Sequence, residues 1–188
     1  MPAIFFDRDG VINSLISRPD GRNTSPWKVE EFILLPRARE AFALVHPPYQ
    51  CFVVTNQPHV GIEMTQQDLA RIHSYLQQEI PQITDIAYCV TQGSDYYKPA
   101  PGMIKYLMAK YKLRPGPQHY LIGDRLKDII CGVAAGVQTI GVGDNFIETK
   151  YKHEDGNVRP DHHVADIYAA CELIMERYHA ESRINWSE

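Results

Sequence analysis

Strand-length runs of apolar residues constrain this chain more than any other feature: Ala3 to Phe6, Cys51 to Thr55, Ile86 to Val90, Tyr120 to Ile122 and Val137 to Val142. Each is bounded by polar or glycine residues, and continuous rather than alternating apolarity predicts strands buried on both faces. Between them lie helix-length segments with recognisable starts: Pro36 before RAREAFALV, Thr65 with Asp68 three residues on, and Pro101 before GMIKYLMAKY. His162 and His163, followed by VADIYAACELIMERYH, read as a last edge strand and a closing amphipathic helix. The alternation predicts an α/β fold, a doubly wound, mostly parallel sheet with helices on both faces. In such a sheet ligands lie at the carboxyl ends of the strands.

Length and charge narrow the classes of function. At 188 residues the chain is expected to form a single domain over residues 1–188. A net charge of −4 offers no basic field for nucleic acid, and none for an anionic membrane. Cys51, Cys89, Cys131 and Cys171 lie about forty residues apart without a CxxC pair or a nearby histidine in ligand spacing, so no zinc is expected. The start MPAIFFDRDG reaches charged residues too early for a signal-peptide core, and a reducing cytoplasm is the expected compartment. Two long irregular stretches stand out. Arg8 to Lys28 directly follows the first strand and is placed to fold over a site at its end. Gly143 to Pro160 carries mixed charges and reads as a solvated loop.

The polar residues that end the strands carry the chemistry. The first strand runs into FFDRDGVIN, where Asp7 and Asp9 share a face as i and i+2, so one carboxylate can attack while the other handles a proton. Alone, such a pair also suits an ordinary turn. The second strand ends CFVVTNQPHVG, placing the Thr55 hydroxyl and the Asn56 amide where they can bond phosphate oxygens or cap a turn; Gln57 and His59 follow closely enough to line a pocket. Lys98 in KPAPGM is stiffened by Pro99 and Pro101 and can neutralise an anion, although exposed lysines are commonly only solvated. HYLIGD delivers Asp124, then Arg125 and, in GDRLKD, Asp128. Asp7, Asp9, Asp124 and Asp128 would repel one another unless a hard divalent cation sat among them, and oxygen ligands suit Mg2+. Asp128 also reads as a first-turn residue favouring a helix N-terminus.

DRDGV, VVTN, KPAPG and GDRLKD, in that order at the ends of separate predicted strands, resemble the four motifs of the haloacid dehalogenase (HAD) superfamily of phosphotransferases over roughly residues 3 to 140. The resemblance implies a Rossmann-like, HAD-type fold and a phosphoric monoester hydrolase. In it, Asp7 would form an aspartyl phosphate, while Asp9 would protonate the leaving alcohol and later activate water. Thr55 and Lys98 would hold the phosphoryl oxygens. Magnesium would be bound by Asp7, the Asp9 main-chain carbonyl and Asp124, with Asp128 bound through water or orienting the lysine. The intervals from Asp9 to Thr55 and from Thr55 to Lys98, 46 and 43 residues, leave no room for a separate cap domain.

A narrower similarity, through DRDGVIN, SPWKVEEFILLP, VVTNQ, KPAPGM and GDRLKDI, is to the heptose bisphosphate and histidinol-phosphate phosphatase branch. Members of that branch typically carry a zinc-binding cysteine and histidine loop before the lysine, and often an arginine immediately preceding it; here Cys89 stands alone and Tyr97 precedes Lys98. The implied substrate is a small phosphorylated metabolite, such as heptose 1,7-bisphosphate, with histidinol phosphate, a phosphoprotein or a catalytically idle scaffold as alternatives. Arg18 and Arg22 in the covering stretch are candidates to grip a second anionic group, Tyr97 to contact substrate or pack on the core, and Arg125 to face a phosphate or pair with Asp128. A signalling receiver also clusters aspartates, a threonine and a lysine, but takes its phosphate at a middle strand, whereas here the DxD pair ends the first. Oligomeric state is not encoded legibly.

Overall fold

Strands expected from continuous apolarity form where β1 (Ala3–Phe6) runs into the short pair β2 (Ile16–Ser17) and β3 (Asn23–Thr24), and where α1 (Ala38–Val45) leads to β4 (Gln50–Asn56). The chain continues through α2 (Gln66–Glu79), β5 (Ile83–Cys89), α3 (Gly102–Lys110), β6 (Tyr120–Gly123), α4 (Leu126–Ala135), β7 (Gln138–Val142), β8 (His162–Val164) and α5 (Ile167–Ile184). This computed structural model describes residues 1–143 and 158–184, so most of the stretch from Gly143 to Pro160 lies outside the described residues.

The main sheet has the order β5-β4-β1-β6-β7-β8, and every neighbouring pair is parallel. Alternate residues of the central strands feed two cores. Ile4, Phe6, Cys51, Val53 and Ile122 face α1, α2 and α5, while Ala3, Phe5, Phe52, Val54 and Leu121 face α3 and α4. The doubly wound arrangement with helices on both faces follows. β5 begins earlier than the apolar run suggests, because it is an edge strand whose first residues alternate between buried and exposed.

Local signals explain the helix boundaries. Thr65 and Asp68 form a capping box on α2: the Asp68 N–H donates to Thr65 Oγ1 at 3.0 Å and the Thr65 N–H to Asp68 Oδ2 at 3.0 Å. α4 ends at Gly136 in the left-handed conformation, with φ of 74°. Among the described residues no helix is long and apolar enough to cross a membrane.

The winding reverses direction at β1, which has β4 on one side and β6 on the other. A crevice opens at the carboxyl end of a strand at such a switch point. The sequence places Asp7 there, and its N–H continues the sheet by donating to the Ile122 carbonyl at 2.9 Å.

Candidate active site

The deepest part of the site is an ion cluster. Lys98 is 1% exposed, and its Nζ lies 2.7 Å from Asp7 Oδ1, 2.6 Å from Asp128 Oδ1 and 3.0 Å from the Val54 carbonyl. Burial alone would depress this ammonium, but Asp128 and Asp7 more than offset it and hold Lys98 above the usual lysine range. Its main chain is clamped by Asn56, whose Nδ2 donates to the Lys98 carbonyl at 2.9 Å and whose Oδ1 accepts from the Lys98 N–H at 3.0 Å. One Asn56 amide N–H and its oxygen are thus engaged in positioning the lysine, while the residue also borders the cleft. Lys98 does not border the cleft: its ammonium is held by Asp7, Asp128 and the Val54 carbonyl.

Asp128 serves two partners. One oxygen meets Lys98, and Oδ2 accepts from the Arg125 N–H at 3.1 Å, fixing the first turn of α4. Helix cap and lysine orienter, two of the readings open for Asp128, are compatible here, and its carboxylate also lies beside those of Asp7 and Asp124, which keeps the metal-site reading open. The approach needs Gly123, where a Cβ would collide with the Asp128 side chain. Gly10 plays the same part opposite Asp124: its φ of 93° is in the left-handed region, and a Cβ there would strike the Asp124 carboxylate.

Asp7, Asp124 and Asp128 each offer an oxygen within 4.8 Å of the others. Burial, then the charges of Asp7 and Asp128, pushes Asp124 up to about 8. Burial raises Asp128 as well, although Lys98 opposes it. Asp124 Oδ1 is buried without a hydrogen-bond partner. One ammonium against three carboxylates leaves excess negative charge and an orphaned oxygen, and an oxygen-liganded divalent cation answers both. The donor set fits Mg2+.

Asp9 sits nearer the surface and is held from several sides. Oδ1 accepts from Arg8 Nε and Nη2 at 3.2 and 3.0 Å and from Asn13 Nδ2 at 3.0 Å; Oδ2 accepts from Arg8 Nη2 at 3.1 Å and from Gln57 Nε2 at 2.7 Å and lies 3.4 Å from Thr55 Oγ1. Arg8 is wholly buried, with Nη1 3.1 Å from His73 Nε2. Burial, then Arg8, pushes His73 down to about 3, so the ring stays neutral and accepts from the guanidinium. Arg8, Asn13 and the contacts of Gln57 were not singled out from the sequence. The available signal was a charged residue between two strand-end acids, since a buried arginine needs a carboxylate partner.

A cleft above these groups is lined by Asp7, Asp9, Thr55, Asn56, Tyr97 and Arg125 together with Leu15, Asn23, Thr24, Ser25, Pro58, His59 and Lys127. The stretch from Arg8 to Lys28 thus does contribute a wall, but through β3 rather than through its arginines. Arg18 does not line the cleft. It pairs with Glu31 at 2.7 Å, donates to Thr24 Oγ1 at 2.8 Å and to the Ser25 carbonyl at 3.2 Å, and stacks 3.6 Å from the Trp27 ring centroid. Arg22 is exposed and bonded to Asp20 at 2.8 Å. The expected anion grip is corrected for Arg18, whose donors and ring face are engaged in bracing the hairpin; Arg22 is not among the residues that line the cleft. Tyr97 both borders the cleft and packs against the α3–α4 core. Arg125 borders it with only a 3.8 Å contact to Asp124.

Comparison with known proteins places this geometry. The sequence model of the HAD-hydrolase-like family matches residues 96–170. The chain is 31% identical to a D-glycero-D-manno-heptose-1,7-bisphosphate 7-phosphatase of Chlorobaculum tepidum, over 89% of this chain and 90% of that protein. It is 33% identical to the D-glycero-alpha-D-manno-heptose-1,7-bisphosphate 7-phosphatase of Burkholderia mallei, over 73% and 77%. The fold matches the crystal structure of a D,D-heptose 1,7-bisphosphate phosphatase from B. bronchiseptica complexed with magnesium and phosphate, with a TM-score of 0.77 at 23% identity, covering 94% of this chain and 99% of that one. The four strand-end motifs, the parallel sheet that carries them and these relatives agree: the chain belongs to the family of HAD-like phosphatases that includes the heptose-1,7-bisphosphate 7-phosphatases.

Proposed function

We propose that this phosphatase removes one phosphate from a small phosphorylated sugar, a heptose 1,7-bisphosphate, in a magnesium-dependent reaction through a phosphoryl group carried on Asp7. The observation that carries the reading is the placing of Asp7 and Asp9 side by side in one cleft, with Asp7 Oδ1 pinned 2.7 Å from a buried ammonium. Two carboxylates held so differently suit two tasks.

An Asp7 oxygen attacks phosphorus, the bond from phosphorus to the sugar oxygen breaks, and Asp9 gives that oxygen its proton. Water then attacks the aspartyl phosphate, loses a proton to Asp9 and frees Asp7 and inorganic phosphate. Lys98 fixes Asp7 and sets a positive charge behind the phosphoryl position, and Thr55 donates its hydroxyl to a phosphoryl oxygen. Magnesium would be held by Asp7, the Asp9 main-chain carbonyl and Asp124, and when bound it supplies neutralisation of the phosphoryl oxygens. Asp128, with both oxygens in use, orients Lys98. Arg125 and Tyr97 on the wall are placed to meet the substrate's second phosphate and its ring. The four cysteines are free and buried, which suits a reducing compartment such as the cytoplasm.

Phosphate release from heptose and hexose bisphosphates, sugar monophosphates, histidinol phosphate, nucleotides and phosphopeptides, each with magnesium and with EDTA, tests this reading. One dominant, magnesium-dependent sugar bisphosphate is the expected result. Dominant turnover of histidinol phosphate or phosphopeptides would overturn the substrate, and no release from any compound would leave an idle scaffold.

A further inference from the structure

Gln57 is wholly buried and out of reach of any substrate, yet its amide touches both groups that are placed to handle the leaving oxygen and the phosphoryl oxygens. Nε2 donates to Asp9 Oδ2 at 2.7 Å and to Thr55 Oγ1 at 2.8 Å. The main-chain N–H of Gln57 donates at 2.7 Å to the Cys89 carbonyl at the end of β5, so the residue is tied to the sheet and not to a loop. With Asp9 ionised, its orientation has one solution. Turned over, the amide would set its carbonyl oxygen against the Asp9 carboxylate. As oriented, Oε1 is buried with no partner. A buried amide that satisfies its donors and leaves its acceptor orphaned is there for its N–H groups.

We propose that Gln57 is the positioning residue of the acid–base step: one N–H aims Asp9 Oδ2 toward the leaving oxygen, and the other anchors the amide on Thr55 Oγ1. The inference rests on the acid–base reading of Asp9 given above. Oδ1 takes three donors from Arg8 and Asn13, whereas Oδ2 takes one from Arg8 at 3.1 Å and one from Gln57, which makes Oδ2 the less engaged oxygen and the one that carries the proton. For Thr55, accepting from Gln57 fills a lone pair of Oγ1 and leaves its own proton free. The nearest acceptor, Asp9 Oδ2, is 3.4 Å away, beyond the ~2.5–3.0 Å of a good O–H···O bond. A phosphoryl oxygen entering the cleft is a better partner. The sequence hid this residue because glutamine after VVTN reads equally well as part of a turn.

The test compares leaving groups. The alkoxide of heptose 1,7-bisphosphate needs a proton as it departs, whereas the phenolate of p-nitrophenyl phosphate does not. Gln57→Met removes both donors at similar volume, and Gln57→Asn draws the same amide back while keeping the cluster polar, so the second serves if the first does not fold. Each variant is expected to lower kcat on heptose bisphosphate roughly 10- to 100-fold, part of what a general acid contributes. The single-turnover release of p-nitrophenolate is expected to stay within about threefold of the native enzyme. A parallel fall with both substrates, or no fall with either, overturns the proposal. Asp9→Asn is the reference: selective loss in Asp9→Asn without selective loss in the Gln57 variants overturns the role of Gln57 alone, and no selectivity in Asp9→Asn overturns the acid–base reading along with it.

Discussion

Lys98 is the residue on which the site turns, and its environment was only half legible. KPAPG marked it as a site residue, but a lysine is ordinarily solvated, and nothing in the sequence says that its ammonium is enclosed by Asp7, Asp128 and the Val54 carbonyl. Lys98→Met is expected to abolish turnover and to destabilise the fold by about 3–5 kcal/mol, since it leaves two buried carboxylates facing each other; urea unfolding checks the second effect. Asp124 gives a pH prediction. Its folded value, raised to about 8 against an ordinary 3.8, means that the native state holds a proton the unfolded chain has already lost. The contribution of Asp124 to stability without metal is therefore fully present below about pH 4 and is lost as pH rises through about 8. Magnesium should reverse that loss, so the Tm gained on adding Mg2+ after EDTA is expected to be larger at about pH 8 than at about pH 5. An equal gain at both values would contradict the site.

Elements whose signals are local were read from the sequence; those that depend on distant partners were not. The capping box Thr65–Asp68 needs only its own four residues, and α2 starts where it predicts. Thr65→Ala is expected to cost about 1 kcal/mol of stability with kcat unchanged, as thermal unfolding and a steady-state assay will show. The β2–β3 hairpin left no comparable trace. Its strands are two residues each, without an apolar run, and its shape depends on Arg18 reaching Glu31 thirteen positions on. That is why Arg18 read as a substrate residue when it braces the wall that Thr24 and Ser25 provide. Arg18→Met keeps the stem against Trp27 and removes the bonds. KM for the sugar phosphate is expected to rise several-fold with kcat within about twofold, a split that separates a wall from the chemistry.

At the scale of the whole molecule, strand order carries function. β1 lies at the point where the winding reverses, so the residue following it opens on the crevice, and β4, β6 and the turn after β5 bring Thr55, Asp124 and Lys98 to the same end of the sheet. This much was legible, because buried parallel strands read as continuous apolar runs and their polar ends stand out. What was not legible is how the polar residues divide their work: Asn56 and Asp128 serve the lysine, and Arg8 serves Asp9, through contacts between chain positions 42, 30 and 1 apart. The central claim is that phosphate passes through Asp7, and the most direct measurement is mass spectrometry of the protein quenched in acid during turnover of heptose 1,7-bisphosphate, beside Asp7→Asn. The account predicts a phosphoryl adduct on the peptide containing Asp7, and in Asp7→Asn a folded protein with neither adduct nor turnover. An adduct on another residue, or full activity in Asp7→Asn, would contradict it.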